Sequence, residues 1–151
     1  MRRPIQVLIF VYRQTARGRE YLMLRRIPEL RGFWQPISGG VEDDEDLLTA
    51  ARRELREETG FQTAAVESIN YAYRIPAFHD RKLGAAPGAD ETMPLHTFAA
   101  RVDDGAEPVL DPAEHDRYLW CPLLLADRLL YWPGDREALR QVDTWLRSRP
   151  L

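Results

Sequence analysis

Ser38 to Phe61 reads S-G-G-V-E-D-D-E-D-L-L-T-A-A-R-R-E-L-R-E-E-T-G-F. It divides into a glycine turn, an acidic loop and an amphipathic helix closed by Gly60. Counted at about 100° per residue from Glu54, Glu57 falls at roughly −60° and Glu58 at roughly +40°, while Leu48, Ala51 and Leu55 fall at roughly +60° to +120°. Three carboxylates therefore share one wedge beside an apolar stripe. Glu54 and Glu58 form an i,i+4 like-charge pair that costs roughly 0.2–0.5 kcal/mol. Glu57 and Glu58 also lie in the last turn, where the helix dipole disfavours anions. One account is a solvated face on which Arg52, Arg53 and Arg56 screen the glutamates. The other is a hard divalent cation with oxygen ligands, which would compensate the repulsion.

The loop before the helix separates the two accounts. The order Gly39, Glu45, Arg53, Glu54, Leu55, Glu57, Glu58, Gly60 and Phe61 resembles the signature of the Nudix hydrolase family, G-x5-E-x7-R-E-U-x-E-E-x-G-U, with U a bulky aliphatic or aromatic residue. All nine positions of the signature are filled over 23 residues, a spacing far more specific than a lone glycine-rich turn. The resemblance implies an α+β Nudix fold, an α/β/α sandwich with a mixed sheet flanked by helices. It also implies hydrolysis of a phosphoric anhydride, with Glu54, Glu57 and Glu58 holding Mg²⁺, or alternatively Mn²⁺, directly or through waters. Arg53 and Glu45 are then a supporting ion pair that orients the carboxylates.

Scattered residues narrow the resemblance within the family. They are Leu22-Met23-Leu24, Phe33-Trp34-Gln35, Gly39 with Val41-Glu42, Glu114-His115 with Trp120, and Trp132 followed by Arg136, Ala138 and Leu139. They are similar to those of bacterial dihydroneopterin triphosphate pyrophosphohydrolases. In that group the residues matching Arg26 and Ser38 contact substrate, and the one matching Glu114 joins the metal site. Glu57 or Glu114 would deprotonate the attacking water, and Arg26 would take a terminal phosphate. The implied reaction cleaves a nucleoside or pterin triphosphate between the α and β phosphorus atoms. Dinucleoside polyphosphates, nucleotide sugars and a cap-like RNA 5′ end are rival substrates. A non-catalytic nucleotide sensor is the rival outside enzymes, and a structural or interaction module a third reading. The chain departs from the narrower pattern around Pro76 to Asp90.

Read without the resemblance, several of these residues have plainer accounts. Arg25-Arg26 is a solubilising strand end or a phosphate contact, because a guanidinium fork matches phosphate oxygens. Trp34 is core or rim packing, with base or pterin stacking as the alternative. Gly39-Gly40 is a tight turn, or a turn whose amides face a ligand phosphate or help seat the helix. Glu114 is a loop carboxylate.

The bulk properties agree with a small globular protein. The 151 residues fit a single domain, 1–151, with 44% hydrophobic and 30% charged residues. A net charge of −3 offers no general basic footprint, so a small phosphorylated molecule is the expected partner and nucleic acid is not. A homodimer is compatible with all of this. The single cysteine, Cys121, rules out an intrachain disulfide, suggests a reducing, cytoplasmic location, and reads as a small buried hydrophobe. No segment approaches the roughly 20 apolar residues of a membrane span. Met1-Arg2-Arg3 before an apolar run has features of a signal peptide, but the run is short and interrupted by Gln6, and it reads as a strand.

Outward from the central stretch, Ile5 to Tyr12 and Glu20 to Arg26 read as a hairpin. Val66 to Ile75, Thr92 to Val102 and Tyr118 to Cys121 read as strands, and 103–116 as a loop. Leu123 to Leu130 and Asp135 to Arg147 read as helical, the second with Leu139, Val142 and Leu146 on one face. The order is β-β-β-α-β-β-β-α. Pro76 to Asp90 is a long loop carrying His79, Arg81 and Lys82, and its length favours a substrate-facing role over an inert connection.

Overall fold

The computed structural model describes residues 2–62, 65–77 and 91–149. Its strands are β1 (Arg2–Thr15), β2 (Gly18–Arg26), β3 (Trp34–Gln35), β4 (Ile37–Glu42), β5 (Val66–Pro76), β6 (Thr92–Arg101) and β7 (His115–Cys121). Its helices are α1 (Leu47–Thr59), α2 (Leu123–Leu129) and α3 (Pro133–Arg147), with a 3-10 turn at Pro28–Leu30. This is one strand more before α1 than the sequence suggested, while the two helical stretches read after the last strand are present as α2 and α3. The 76–90 loop reading, with His79, Arg81 and Lys82, falls almost wholly on residues outside those described.

β1 is the axis of the sheet. Its Val7–Tyr12 run is apolar at every position because both of its faces are covered. Val7, Ile9 and Val11 pack with Ala50, Ala51 and Leu55 of α1. Leu8, Phe10 and Tyr12 pack with Ala126 of α2 and with Ala138, Leu139 and Val142 of α3. The period of two along the strand thus separates the two cores of an α/β/α sandwich. Full burial of Leu139 or Val142 is worth roughly 1.5–3 kcal/mol each, which keeps α3 on the sheet.

The sheet is mixed. β1 pairs antiparallel with β2 at Tyr12–Thr15 and with β4 at Arg2–Ile9, and parallel with β6 along its other edge. β6 pairs with β5, and β2 pairs with β7 and β3, all antiparallel. Cys121 is fully buried, and burial pushes its thiol up to about 11, as befits a small core residue. No helix of the described residues is long and apolar enough to cross a membrane.

Two local corrections bear on the site. Ser38-Gly39-Gly40 is not a turn. These residues lie inside β4, paired with Leu8, Val7 and Gln6, and neither glycine takes a positive φ. The apolar stripe of α1 also differs, because Leu48 is 39% exposed while Ala50, Ala51 and Leu55 are buried together with Glu54 and Glu58. The helix is therefore rotated so that two glutamates enter the protein rather than the solvent.

Candidate active site

α1 begins at Asp46, whose side chain caps the helix by accepting from the Thr49 N–H at 2.7 Å. It ends at Gly60, which takes φ 77° and donates its N–H to the Arg56 carbonyl. Both ends are fixed, so the positions of the glutamates between them are fixed as well.

Arg53 is the hub of the cluster. Its Nε donates to Glu45 Oε2 at 2.7 Å and its Nη2 to Glu45 Oε1 at 2.9 Å, a bidentate fork. Nη2 also donates to the Gly40 carbonyl at 2.8 Å, and Nη1 donates to Glu54 Oε1 at 2.9 Å and Glu57 Oε2 at 3.3 Å. All five guanidinium N–H groups are used. Glu45 in turn accepts from the Glu42 N–H at 2.9 Å, closing the acidic loop against β4. The hydrogen bond from Arg53 holds the Glu45 carboxyl below the usual range, while Glu45 pushes the Arg53 guanidinium up. Lysine has three donors and cannot reproduce this fork.

Gly39 explains itself at this point. A Cβ on residue 39 would overlap the Glu54 carboxyl group, so glycine leaves the space that this carboxylate occupies.

Glu114 and His115 reach the cluster from β7. The β2–β7 register slips between Arg25 and Arg26, so that Arg25 faces Arg117 and Arg26 faces His115. Asp116 is the extra residue, held by Arg25 at 2.9 and 3.1 Å. Such a bulge re-aims the side chains beside it. The Glu114 carbonyl is fixed by the Ile27 N–H at 3.0 Å.

The result is a cleft of about 380 Å³ lined by Glu42, Arg53, Glu54, Glu57, Glu58, Asp111 and Glu114. Glu57 is its most open carboxylate, with a side chain 54% exposed, and Glu58 is 3% exposed. Burial raises the Glu58 carboxyl well above its ordinary range, and the negative charges of Glu54 and Glu114 raise it further. Its Oε2 has no hydrogen-bond partner among the described residues. Burial lowers the His115 imidazole, keeping the ring neutral, and its Nδ1 stands 3.7 Å from Glu58 Oε1. Glu58, Glu114 and His115 each offer a ligand atom within 4.8 Å of the others. A buried carboxyl group with one unpartnered oxygen, crowded by Glu54 and Glu114, offers the oxygen donors that a hard divalent cation accepts.

The residues expected from sequence separate here. Glu54, Glu57, Glu58, Glu114 and Arg53 line one cleft, and Glu45 braces it through Arg53. Gly39 and Gly40 stand behind it, in contact with Glu54 and Arg53. Arg26 is near enough to Glu58 to lower its carboxyl pKa, and its guanidinium lies 5.4 Å from the Phe33 ring. Ser38 lies in β4 opposite Leu8. Trp34 packs against the core on the α2/α3 side of the sheet, in keeping with its packing reading. Sequence reasoning did not single out Glu42, Asp111, His115 or Gln35 as site residues. Glu42, Gln35 and His115 carried signal only as scattered residues of the narrower resemblance, Asp111 carried none, and the register slip beside Glu114 and His115 is tertiary.

Comparison with known proteins places the chain in a family. The NUDIX domain family model matches residues 2–142. A dihydroneopterin triphosphate diphosphatase of Escherichia coli is 34% identical over 144 residues, 93% of this chain and 92% of that protein. An RNA pyrophosphohydrolase of Novosphingobium aromaticivorans is 33% identical over 148 residues, 92% of this chain and 90% of that protein. An octanoyltransferase of Myxococcus xanthus is 36% identical over 121 residues, 80% of this chain, but the match spans only 31% of that longer protein. A NUDIX hydrolase structure from Listeria monocytogenes superposes with a TM-score of 0.83 at 26% identity, covering 96% of this chain and 95% of that one. The chain belongs to the Nudix hydrolase family, and its enzyme class is that of the pyrophosphohydrolases with which it aligns over 92–93% of its length.

Proposed function

We propose that the protein is a divalent-metal-dependent pyrophosphohydrolase that cleaves a nucleoside or dihydroneopterin triphosphate to the monophosphate and pyrophosphate. The observation that carries this reading is the convergence of Glu54, Glu57, Glu58 and Glu114 on one cleft, with an oxygen of buried Glu58 lacking a partner. Those four carboxylates would hold Mg²⁺, with Mn²⁺ as the alternative. When bound, the cation supplies charge neutralisation for the phosphate oxygens and orients water and substrate.

The chain's own residues do the rest. Glu57 or Glu114 takes a proton from the attacking water as its oxygen bonds to phosphorus, and the anhydride bond breaks with pyrophosphate leaving. Arg26, close enough to Glu58 to act on its charge, takes a phosphate oxygen. Arg53, with Glu45, keeps Glu54 and Glu57 aimed into the cleft, Gly39 leaves room for the Glu54 carboxylate, and the Gly40 carbonyl anchors Arg53. Phe33, Tyr131 and Trp132 cluster beside Arg26, with ring centroids 4.8 to 5.8 Å apart, and suit a substrate that carries a planar ring.

The RNA pyrophosphohydrolase relative supports a second reading, in which the triphosphate is the 5′ end of an RNA. A Mg²⁺-dependent screen over dNTPs, dihydroneopterin triphosphate, 5′-triphosphorylated RNA, diadenosine polyphosphates and nucleotide sugars, with products identified, tests both. Pyrophosphate from the small triphosphates supports the proposal. Pyrophosphate from RNA alone moves the substrate to the RNA end, and preferential cleavage of a diphosphate-linked compound discards both. Metal binding without turnover of any of them would make the protein a sensor.

A further inference from the structure

His115 is buried beneath the carboxylate cluster, and its side chain has no solvent exposure. On its far side, Gln35 Nε2 lies 3.0 Å from His115 Nε2. An amide nitrogen only donates, so the ring nitrogen facing it must accept, and the ring proton then resides on Nδ1. Nδ1 has no hydrogen-bond partner among the described residues and faces Glu58 Oε1 at 3.7 Å. That gap is only about 0.7 Å longer than an ordinary N–H···O bond. The oxygen of Glu58 that lacks a partner is the other one, Oε2. A buried N–H thus faces a buried carboxyl group at a distance too long for a bond, and leaving that donor unpaired costs free energy.

We infer that Gln35 and His115 form a positioning relay for Glu58, in which Gln35 fixes the imidazole tautomer and the Nδ1–H steers the Glu58 carboxylate into its cation-binding orientation. The inference rests on the reading of Glu58 as a metal ligand. The choice of side chain has a physical reason. A lysine or arginine at this place would orient the carboxylate but also neutralise it and repel a divalent cation. A neutral imidazole N–H favours the ionised carboxylate without bringing a competing charge. The backbone brings Gln35 and His115 together: β2 pairs Leu24 with Gln35 on one edge and Arg26 with His115 on the other.

The test is calorimetric titration of the full chain with Mn²⁺ alone, with chelator-treated melts to establish that each variant is folded. His115→Phe should weaken Mn²⁺ binding by roughly 10–100-fold, the effect expected when an outer-shell partner is lost. His115→Asn places an amide donor where Nδ1–H stood and should remain within about threefold of wild type. Gln35→Met, at a partly exposed position, frees the tautomer and should weaken binding by roughly threefold or more, so it decides the matter if the buried Phe variant does not fold. Equal losses in the Phe and Asn variants, or an unchanged affinity in folded Gln35→Met, would overturn the relay. Pulsed electron paramagnetic resonance showing an imidazole nitrogen bound directly to Mn²⁺ would overturn it too, making His115 a ligand. Absence of Mn²⁺ binding by the wild type would instead overturn the reading of Glu58.

Discussion

Gly39→Ala is the substitution whose effect can be worked most fully from the structure. Gly39 does not take a positive φ, so alanine brings no backbone strain there. Through the unfolded chain it should even stabilise the protein by about 0.4–1 kcal/mol. Against this, the new methyl overlaps the Glu54 carboxyl group, which must swing away from the 2.9 Å bond it accepts from Arg53 Nη1. A hydrogen bond to a charged group contributes roughly 1.5–3 kcal/mol, so the net loss should be about 1–2 kcal/mol. A carboxylate displaced by an ångström should lower turnover by about 100-fold. The cause can be isolated with a double-mutant cycle measured by urea unfolding. In a Glu54→Ala background the methyl meets no carboxylate, and Gly39→Ala should then be neutral or mildly stabilising, with a coupling of about 1.5–3 kcal/mol. If Gly39→Ala costs the same in both backgrounds, the reasoning about why glycine stands here is wrong.

Three further outcomes follow from the same contacts. The Glu58 carboxyl is raised by burial, so between the ordinary carboxyl range and its raised value the folded state binds more protons than the unfolded one, and stability is lost as pH rises through that window. In chelator, Glu58→Gln should therefore melt above wild type at neutral pH and converge with it near the ordinary carboxyl pKa; melting curves that stay parallel across pH would contradict this. Arg53→Lys breaks the fork to Glu45 and should cost about 2 kcal/mol in urea unfolding, with Glu45→Gln milder because the amide oxygen still accepts. Gly134→Ala would set a Cβ 2.5 Å from Tyr73 Cε2 and disturb the 2.5 Å bond from the Tyr73 hydroxyl to Asp135; it should cost about 1–3 kcal/mol of stability and leave kcat/KM unchanged.

The site was legible where its residues are close in sequence. Glu54, Glu57 and Glu58 break the local charge rules of a helix, and the fixed spacing to Glu45 and Arg53 supplied the compensating reading. The β1–β2 hairpin followed from two β-branched and aromatic runs across a polar turn, whereas the division of β1 between two cores did not, because Val7–Tyr12 is apolar at every position. Gly39 was misread as a turn because its reason is a carboxylate 15 positions away rather than a backbone angle. Leu48 was counted into the apolar stripe of α1, but it is 39% exposed while Ala50 is buried, because the face a helix buries is set by its tertiary packing. Gln35, Asp111 and His115 could not be placed in the site from sequence, since what brings Glu114 and His115 under α1 is a one-residue slip against β2.

The central claim is that the carboxylate cleft is a cation-dependent catalytic centre. It is tested most directly by pyrophosphate release from a small triphosphate substrate as Mg²⁺ is titrated, comparing wild type with Glu58→Gln of matched fold. The account predicts saturable Mg²⁺-dependent release by the wild type and loss of most of it in the variant at every Mg²⁺ concentration. Wild-type turnover by Glu58→Gln at saturating Mg²⁺ would contradict it.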